Sequence, residues 1–376
     1  MDTLSLFPLR ITTTTILELY NTCPYKLQKL VIEGWSKSIY NNHLVFGGEF
    51  AAALELTRRA YYYDCKVAEE SIAIGLNYIV EHFGETFQPS NFNEDIKTPA
   101  KMQEVFQKYF EEFPLDSDIT PYVLPNEDLS VECRFTVELP ILHPELGVPI
   151  LLSIKPDMLG LDARQVLNLI DEKTASQSGM SDMAKTTDKY RSRYQFMLYT
   201  SVVNQNPEYF GDTKVKQAKV RRVVITKTKL VDSKKDNKGK IPRNVQVVEE
   251  YSFEIDRWLQ KTVWEETLLI VQEMVDSYKA YKEGKPYAFR RRRGNCEQFF
   301  NPCELTLHCT SGAAQDMERL GYVQMWKDKD EGIVIPLQQK LIDLGLVEGK
   351  SSEELSQAID DLFDRTEHPQ VGEADG

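Results

Sequence analysis

The sequence predicts an α/β protein: a central mixed sheet flanked by helices, with a helical N-terminal region and a Cys-rich C-terminal segment. Two observations predict it. Residues 11–113 carry apolar side chains at helical spacing, whereas 130–255 hold β-rich runs interrupted by one long helical stretch. The composition, 41% hydrophobic and 27% charged over 376 residues, is that of an ordinary globular chain.

Residues 12–33 open with threonines that can cap a helix, followed by Ile16, Leu17 and Tyr20, then Leu27, Leu30 and Val31, at helical spacing. Further helices are predicted over about Gly48–Tyr63, Val67–His82 and Lys101–Phe113, and the Pro-, Asn- and Asp-rich stretches 86–97 and 114–128 read as loops. Val131–Leu139 alternates as a strand, His143–Gly147 makes a turn, and Ile150–Leu159 and Val166–Ile170 are two more β-rich runs. A helix spans about Ala184–Asn204, with Tyr194, Met197, Leu198, Ser201 and Val202 on one face. Strands Val220–Ile225 and Val245–Ile255 enclose a basic turn, 227–243, with seven Lys or Arg against two Asp. A long amphipathic helix over about Asp256–Tyr281 buries Leu259, Val263, Ile270, Met274 and Tyr278. The Cys-rich segment follows, then two short helices in 335–364, with the last dozen residues expected to be disordered. There is no internal repeat.

No stretch approaches the apolar length that spans a bilayer, which excludes a transmembrane helix and any membrane partner. Met1-Asp2-Thr3-Leu4 lacks the basic start and apolar core of a signal peptide, so a cytoplasmic location is the expectation. Net charge is −13, but residues 351–376 hold eight acids against the single base Arg365, which leaves −6 for the rest. Clustered bases decide phosphate binding better than the total does, so charge does not settle the partner.

The chemistry-bearing signal is Lys155-Pro156-Asp157 on one predicted strand and Ile170-Asp171-Glu172-Lys173-Thr174 at the end of the next. Adjacent strand ends can bring Asp157 and Asp171 to one edge of the sheet, where hard oxygen ligands suit Mg²⁺ or Mn²⁺. Such an ion polarises a phosphate and lowers the pKa of a bound water. Lys173, two residues past Asp171, points to the same face and can orient that water or stabilise charge on the phosphorane. Taken alone, an Asp-Glu-Lys run at a strand end is most often a solvated charge cluster. Glu132 on the preceding strand offers a further carboxylate, and Gln195 and Tyr199 share a helix face one turn apart.

Six cysteines are present, three of them within fourteen residues as Cys296-x6-Cys303-x5-Cys309, and Cys23-Pro24 supplies a fourth thiolate. Four thiolates can hold a [4Fe–4S] cluster or a structural Zn²⁺, although buried reduced thiols are the commoner fate. Cys65 and Cys133 read as core residues, and His308 as a loop residue. Arg290, Arg291, Arg292 and Arg293 and the 227–243 turn are candidates for DNA backbone contact. Tyr287, Phe289, Phe299 and Phe300 could stack on unpaired bases or cover a cluster. No phosphate-binding Gly-x-x-x-x-Gly-Lys loop occurs, so the chain carries no motor of its own.

In this order the motifs resemble the RecB-like branch of the PD-(D/E)XK nuclease superfamily, which includes CRISPR-associated and phage exonucleases. They are Cys23-Pro24, Phe46-Gly47, Glu132, Pro156-Asp157, Asp171-Glu172-Lys173-Thr174, Gln195-x-x-x-Tyr199 and Cys296, Cys303, Cys309. The resemblance covers about 11–310. It implies a restriction-endonuclease-like core over about 130–255 within a nuclease domain at 1–310: a helical part at about 11–113, and the long helix and Cys segment at 256–310. Residues 311–376 form an extension with an acidic tail. It implies metal-dependent hydrolysis of single-stranded or end-containing DNA. Asp157 and Asp171 would be metal ligands, Glu172 would offer its backbone carbonyl, and Lys173 would be the catalytic lysine. Gln195 and Tyr199 would position the strand. It favours [4Fe–4S] over Zn²⁺ at the four cysteines, and a helicase or recombination protein as a partner beside DNA. A phage-encoded chain would act in the host-cell cytoplasm. One departure stands out. Many relatives carry a metal-binding His four residues after the Gly matching Gly47, and Ala51 stands there. Either Glu132 carries more of the metal, or the chain is a DNA-end-binding subunit that does not cut.

Overall fold

The structure is a computed structural model and describes residues 7–37, 42–87, 97–117, 119–176, 183–225, 247–298, 301–310, 317–324 and 333–335. The basic turn 227–243, Phe299, Phe300, and the two helices and tail expected in 335–376 lie outside them.

The chain enters through β1 (Arg10–Thr12), a π-helical turn over Thr13–Leu17, α1 (Glu18–Thr22), α2 (Pro24–Leu27) and a second π-turn over Gln28–Ile32. The single helix expected over 12–33 is therefore broken at Cys23, which is extended (φ −163°, ψ 108°) before Pro24 at the first helical position. A residue before proline is pushed out of the helical region, which is the physical reason for the break. Next come β2 (Trp35–Lys37), α3 (Asn42–Tyr62), α4 (Ala68–Tyr78), α5 (Gly84–Thr86) and α6 (Pro99–Glu112). Thr98 caps α6 by accepting from the Lys101 amide at 3.2 Å. Gly75 lets α4 approach its neighbours. A Cβ there would lie 2.3 Å from Thr57 Oγ1 and 2.5 Å from the Phe106 ring.

The β-rich part contains β3 (Thr120–Pro121), β4 (Phe135–Leu142), β5 (Pro149–Ile154), β6 (Met158–Leu161) and β7 (Leu167–Ser176). After α7 (Met183–Arg191), α8 (Tyr194–Gln205) and α9 (Pro207–Phe210) come β8 (Val215–Ile225) and β9 (Val247–Glu254). The one helix expected over 184–204 is thus two. Two mixed sheets result, ordered β3-β6-β7-β8-β9 and β1-β5-β4-β13, with β13 at Ile333–Ile335. In the first, β7 and β8 run parallel and place Asp171 opposite Val220 and Lys173 opposite Arg222. The run 150–159 is not one strand. Pro156 removes a ladder donor, β5 stays in the second sheet, and the chain crosses to the first sheet at Lys155-Pro156-Asp157.

Helix α10 (Arg257–Lys282) is capped by the Asp256 carboxylate, which accepts from the Leu259 amide at 2.9 Å. It packs with α8 against one face of the five-stranded sheet, in a core that includes Phe196, Met197, Val202, Leu169, Val220 and Trp264. Each fully buried apolar side chain of this kind stabilises the fold by about 1.5–3 kcal/mol. Helices α3, α4 and α6 cover the opposite face through Phe50, Leu54, Phe106 and Tyr109, against Val223 and Ile225. The hairpin β10 (Glu297–Gln298) and β11 (Asn301–Pro302), α11 (Thr306–Thr310) and β12 (Tyr322–Gln324) complete the fold, with β12 antiparallel to β2. Among the described residues, no helix is long and apolar enough to cross a membrane.

Candidate carboxylate site and thiol cluster

Alternation along β7 divides the site between the two faces of the sheet. Asp171 and Lys173 point toward α8, and Glu172 points toward α3 and α6. On the α8 side, Lys173 Nζ and Gln195 Nε2 each lie 2.7 Å from Asp171 Oδ1. Both donors take the same oxygen. Among the described residues, Asp171 Oδ2 is buried with no hydrogen-bond partner. Asp157, at the crossing between sheets, accepts the Glu172 amide on Oδ2 at 2.5 Å, and its own carbonyl accepts from the Glu132 amide at 2.9 Å. Burial raises the Asp157 carboxyl well above its ordinary value, and the charges of Asp171 and Glu132 push it further. Asp171 is raised by burial too, against the pull of Lys173. Burial works to strip the Lys173 proton, but Asp171 and Asp157 outweigh it and hold the ammonium charged.

Glu132 does not sit on a strand. It occupies the turn before β4 with φ at +54°, a conformation that non-glycine residues rarely adopt. The isolated pairing of Val131 with Met158 ends there, and the left-handed residue turns the chain away. Its Oε2 pairs with Lys155 Nζ at 2.9 Å, and its buried Oε1 has no partner among the described residues. Lys155 also reaches Glu55 of α3 at 3.7 Å, one helical turn beyond Ala51. Tyr199 is buried against Thr13 and the Lys155 main chain, so it supports the crossing from behind.

Carboxylate oxygens of Glu132, Asp157 and Glu172 lie within 4.8 Å of one another. Glu172 nevertheless has no oxygen to give. Arg58 donates to both its oxygens, with NH1 3.0 Å from Oε2, and Tyr109 donates to Oε1 at 2.7 Å. Burial would raise this carboxyl, but Arg58 brings it down to about 2. Among the described residues, Glu132 Oε1 and Asp171 Oδ2 are orphaned buried acceptors, and Asp157, on which the charges of both act, adds hard oxygen for a cation beside either. Sequence reasoning missed Arg58, Tyr109 and Arg221, which form a network with Glu172 and Glu250 behind β7. Arg58 and Glu172 are 114 residues apart, and nothing local in either segment signals the pair.

The thiols gather at the other end of α1. Asn295 Nδ2 donates to the Thr22 carbonyl at 2.8 Å and the Arg292 guanidinium to that of Asn21, so the Cys296 segment is clamped onto Cys23. The Cys303 amide donates to the Cys296 carbonyl at 2.7 Å. Burial pushes the Cys309 thiol up, Arg291 opposes this, and Cys303, Cys23 and Cys296 all lie close enough to add to it. Leu305, Met317 and Tyr322 wrap Cys303 and Cys309 in apolar surface. His308 is buried in α11 rather than in a loop, with Nε2 2.8 Å from the Tyr25 hydroxyl. Cys65 is exposed, not core, and Cys133 is partly buried with its thiol 3.1 Å from the Leu129 carbonyl. Phe289 is buried in the main core, whereas Tyr287 is exposed. Of the four arginines, Arg292 is engaged on α1, and Arg291 lies over the Tyr25 ring at 4.4 Å.

Protein-family models and curated proteins give no match to this chain. Among solved structures, similarity is found to the crystal structure of SSO0001. It is 12% identical, over 60% of this chain and 73% of that one, with a TM-score of 0.23.

Proposed function

We propose that this chain is a metal-dependent DNA nuclease of the PD-(D/E)XK type, acting on single-stranded or end-containing DNA. The observation that carries the reading is the state of Asp171. Lys173 and Gln195 fix one carboxylate oxygen, and the other is held dry and unpaired beside Asp157. A buried carboxyl oxygen without a hydrogen-bond partner costs stability unless a ligand satisfies it. Asp157 and Asp171 would hold Mg²⁺ or Mn²⁺, with Glu132 Oε1 as the further donor that compensates for Ala51. Such an ion polarises the scissile phosphate and acidifies a water. Lys173 stays protonated and donates to the oxygen on which charge develops. Gln195 keeps Asp171 from rotating, and Tyr199 holds the Lys155 crossing, so both position ligands and neither needs to touch the strand.

The four gathered thiols fit a [4Fe–4S] cluster, with structural Zn²⁺ as the other soft-ligand solution. Either would staple Cys23 to the Cys296–Cys309 segment. A helicase or recombination partner fits a nuclease without its own motor. A second reading, a DNA-end-binding subunit that does not cut, is favoured by Ala51 together with the Lys155 ammonium on Glu132. End-labelled DNA separates them. The nuclease reading expects shortening of the label only with Mg²⁺ or Mn²⁺, and retention without cleavage would establish the binder.

A further inference from the structure

We infer that the pocket between the Cys23 segment and the turn after α10 seats one nucleotide of a single DNA strand on its way to the carboxylates. This rests on the nuclease reading above and adds a subsite to it. The pocket has a volume of about 370 Å³, and its walls include Tyr25, Lys29, Tyr281, Lys285, Tyr287 and Arg291. That size is at the small end of ligand sites. With Phe289, four aromatic rings and three cations line one concavity, the composition that binds unpaired nucleotides: a base on a ring, a phosphate on a cation.

The individual groups divide those tasks. Lys29 is engaged by Glu33 at 2.8 Å and Lys285 by Glu283 at 2.7 Å. Buried Glu33 also accepts from Gln28 at 2.7 Å and Tyr281 at 3.3 Å, which makes this wall rigid. Arg291 differs. Its guanidinium lies over the Tyr25 ring at 4.4 Å and hydrogen-bonds Tyr25, and the other groups acting on it are Cys309 and Tyr287, none of them a carboxylate. A guanidinium stacked this way offers its N–H edge to a phosphate bidentately. Tyr287 is 85% exposed with φ at +62°. A non-glycine residue in the left-handed region is uncommon, and such outliers concentrate at ligand clamps. Tyr287 is the stacking platform.

The position also fits. Glu18, at the start of α1, feels the charge of Lys173, and Tyr25 begins the pocket wall seven residues later. At a helical rise of about 1.5 Å per residue this is roughly 10 Å, somewhat more with Cys23 extended. A strand lying along α1 and α2 therefore reaches Tyr287 and Arg291 at one point and the carboxylates at another. Arg292 and Asn295, on the Asn21 and Thr22 carbonyls, fix the wall between them.

The test is fluorescence anisotropy of labelled oligothymidylate without divalent metal, on the full chain, for wild type, Tyr287→Ala, Arg291→Gln and the control Trp258→Ala. Tyr287 and Trp258 are both highly exposed, so neither truncation disturbs the core. Loss of the stack weakens binding by about 5- to 150-fold for Tyr287→Ala. Loss of one phosphate contact in Arg291→Gln lowers the slope of log K against log salt by about 0.7. Trp258→Ala changes neither. If wild type binds and both pocket variants match it in affinity and slope, the pocket is refuted, while Mg²⁺-dependent cleavage by the same variants leaves the nuclease reading standing. If wild type binds no single strand, the pocket is refuted, and absence of metal-dependent cleavage would take the nuclease reading with it.

Discussion

Removing Arg58 tests how the buried face of β7 holds the carboxylate site in register. The side chains of Arg58 and Glu172 are only 3% and 4% exposed, and Tyr109 closes the pair. Arg58→Met leaves an ionised carboxylate in a dry site with Tyr109 and, beyond it, Arg221 as its remaining support. Breaking one partner of such a pair costs about 3–5 kcal/mol, whereas replacing both by apolar residues of similar volume is often neutral or stabilising. Urea unfolding at neutral pH should therefore show Arg58→Met far less stable than wild type, and Arg58→Met/Glu172→Met within about 1 kcal/mol of it. The pH dependence has a definite sign. Arg58 holds Glu172 down at about 2 against an ordinary 4.5, so the pair's contribution is complete above pH 4.5 and is lost as pH falls from there toward 2. The Arg58→Met penalty should shrink across that window. A penalty under about 1 kcal/mol, of the size of exposed pairs, would show that the network does not hold the sheet.

Divalent-metal binding should release protons, because Asp157 and Asp171 are both raised by burial and must ionise to bind. Mn²⁺ affinity should therefore rise with pH, and calorimetry in buffers of different ionisation heat should detect the release; pH-independent affinity would contradict it. With the proposed [4Fe–4S] cluster, anaerobically purified protein should be brown; replacing Cys23, Cys296, Cys303 or Cys309 by Ala should remove that colour and lower the melting temperature, while Cys65→Ala and Cys133→Ala keep the visible spectrum. Zinc in place of iron would refute the cluster but keep the staple. Gly75→Ala should destabilise the helical layer by about 1–3 kcal/mol through overpacking against Thr57 and Phe106, and a change under about 0.5 kcal/mol would show that α4 can shift freely.

The helices and strands that the sequence predicts are those with strong periodicity, such as α10, whose ends each differ from expectation by one residue, and β8, which starts five residues earlier and ends where expected. Asp171 and Lys173 were legible because spacing of two in a strand fixes a common face. The crossing at Pro156 was less legible, since the apolar run 150–159 continues through it and only the missing proline donor marks the break. Glu132 was found, but its left-handed conformation has no signal in a residue other than Gly or Asn. Charges buried on the far side of the sheet, as in Arg58–Glu172–Tyr109, escape any local pattern because each partner lies in a different element. The joining of Cys23 to Cys296, Cys303 and Cys309 came through resemblance, and the clamp that does it, Asn295 and Arg292 on main-chain carbonyls, uses residues that spacing does not single out.

The proposed nuclease activity places metal-dependent hydrolysis of DNA on Asp171 and Lys173. It is tested most directly by measuring degradation of end-labelled single-stranded DNA by wild type, Asp171→Asn and Lys173→Ala in Mg²⁺ or Mn²⁺. Wild type should cut, and each variant should lose about two or more decades in rate while still binding DNA. Variants that digest DNA at near wild-type rates would contradict the assignment of the site, and a wild type that binds DNA yet never cuts it would contradict the activity itself.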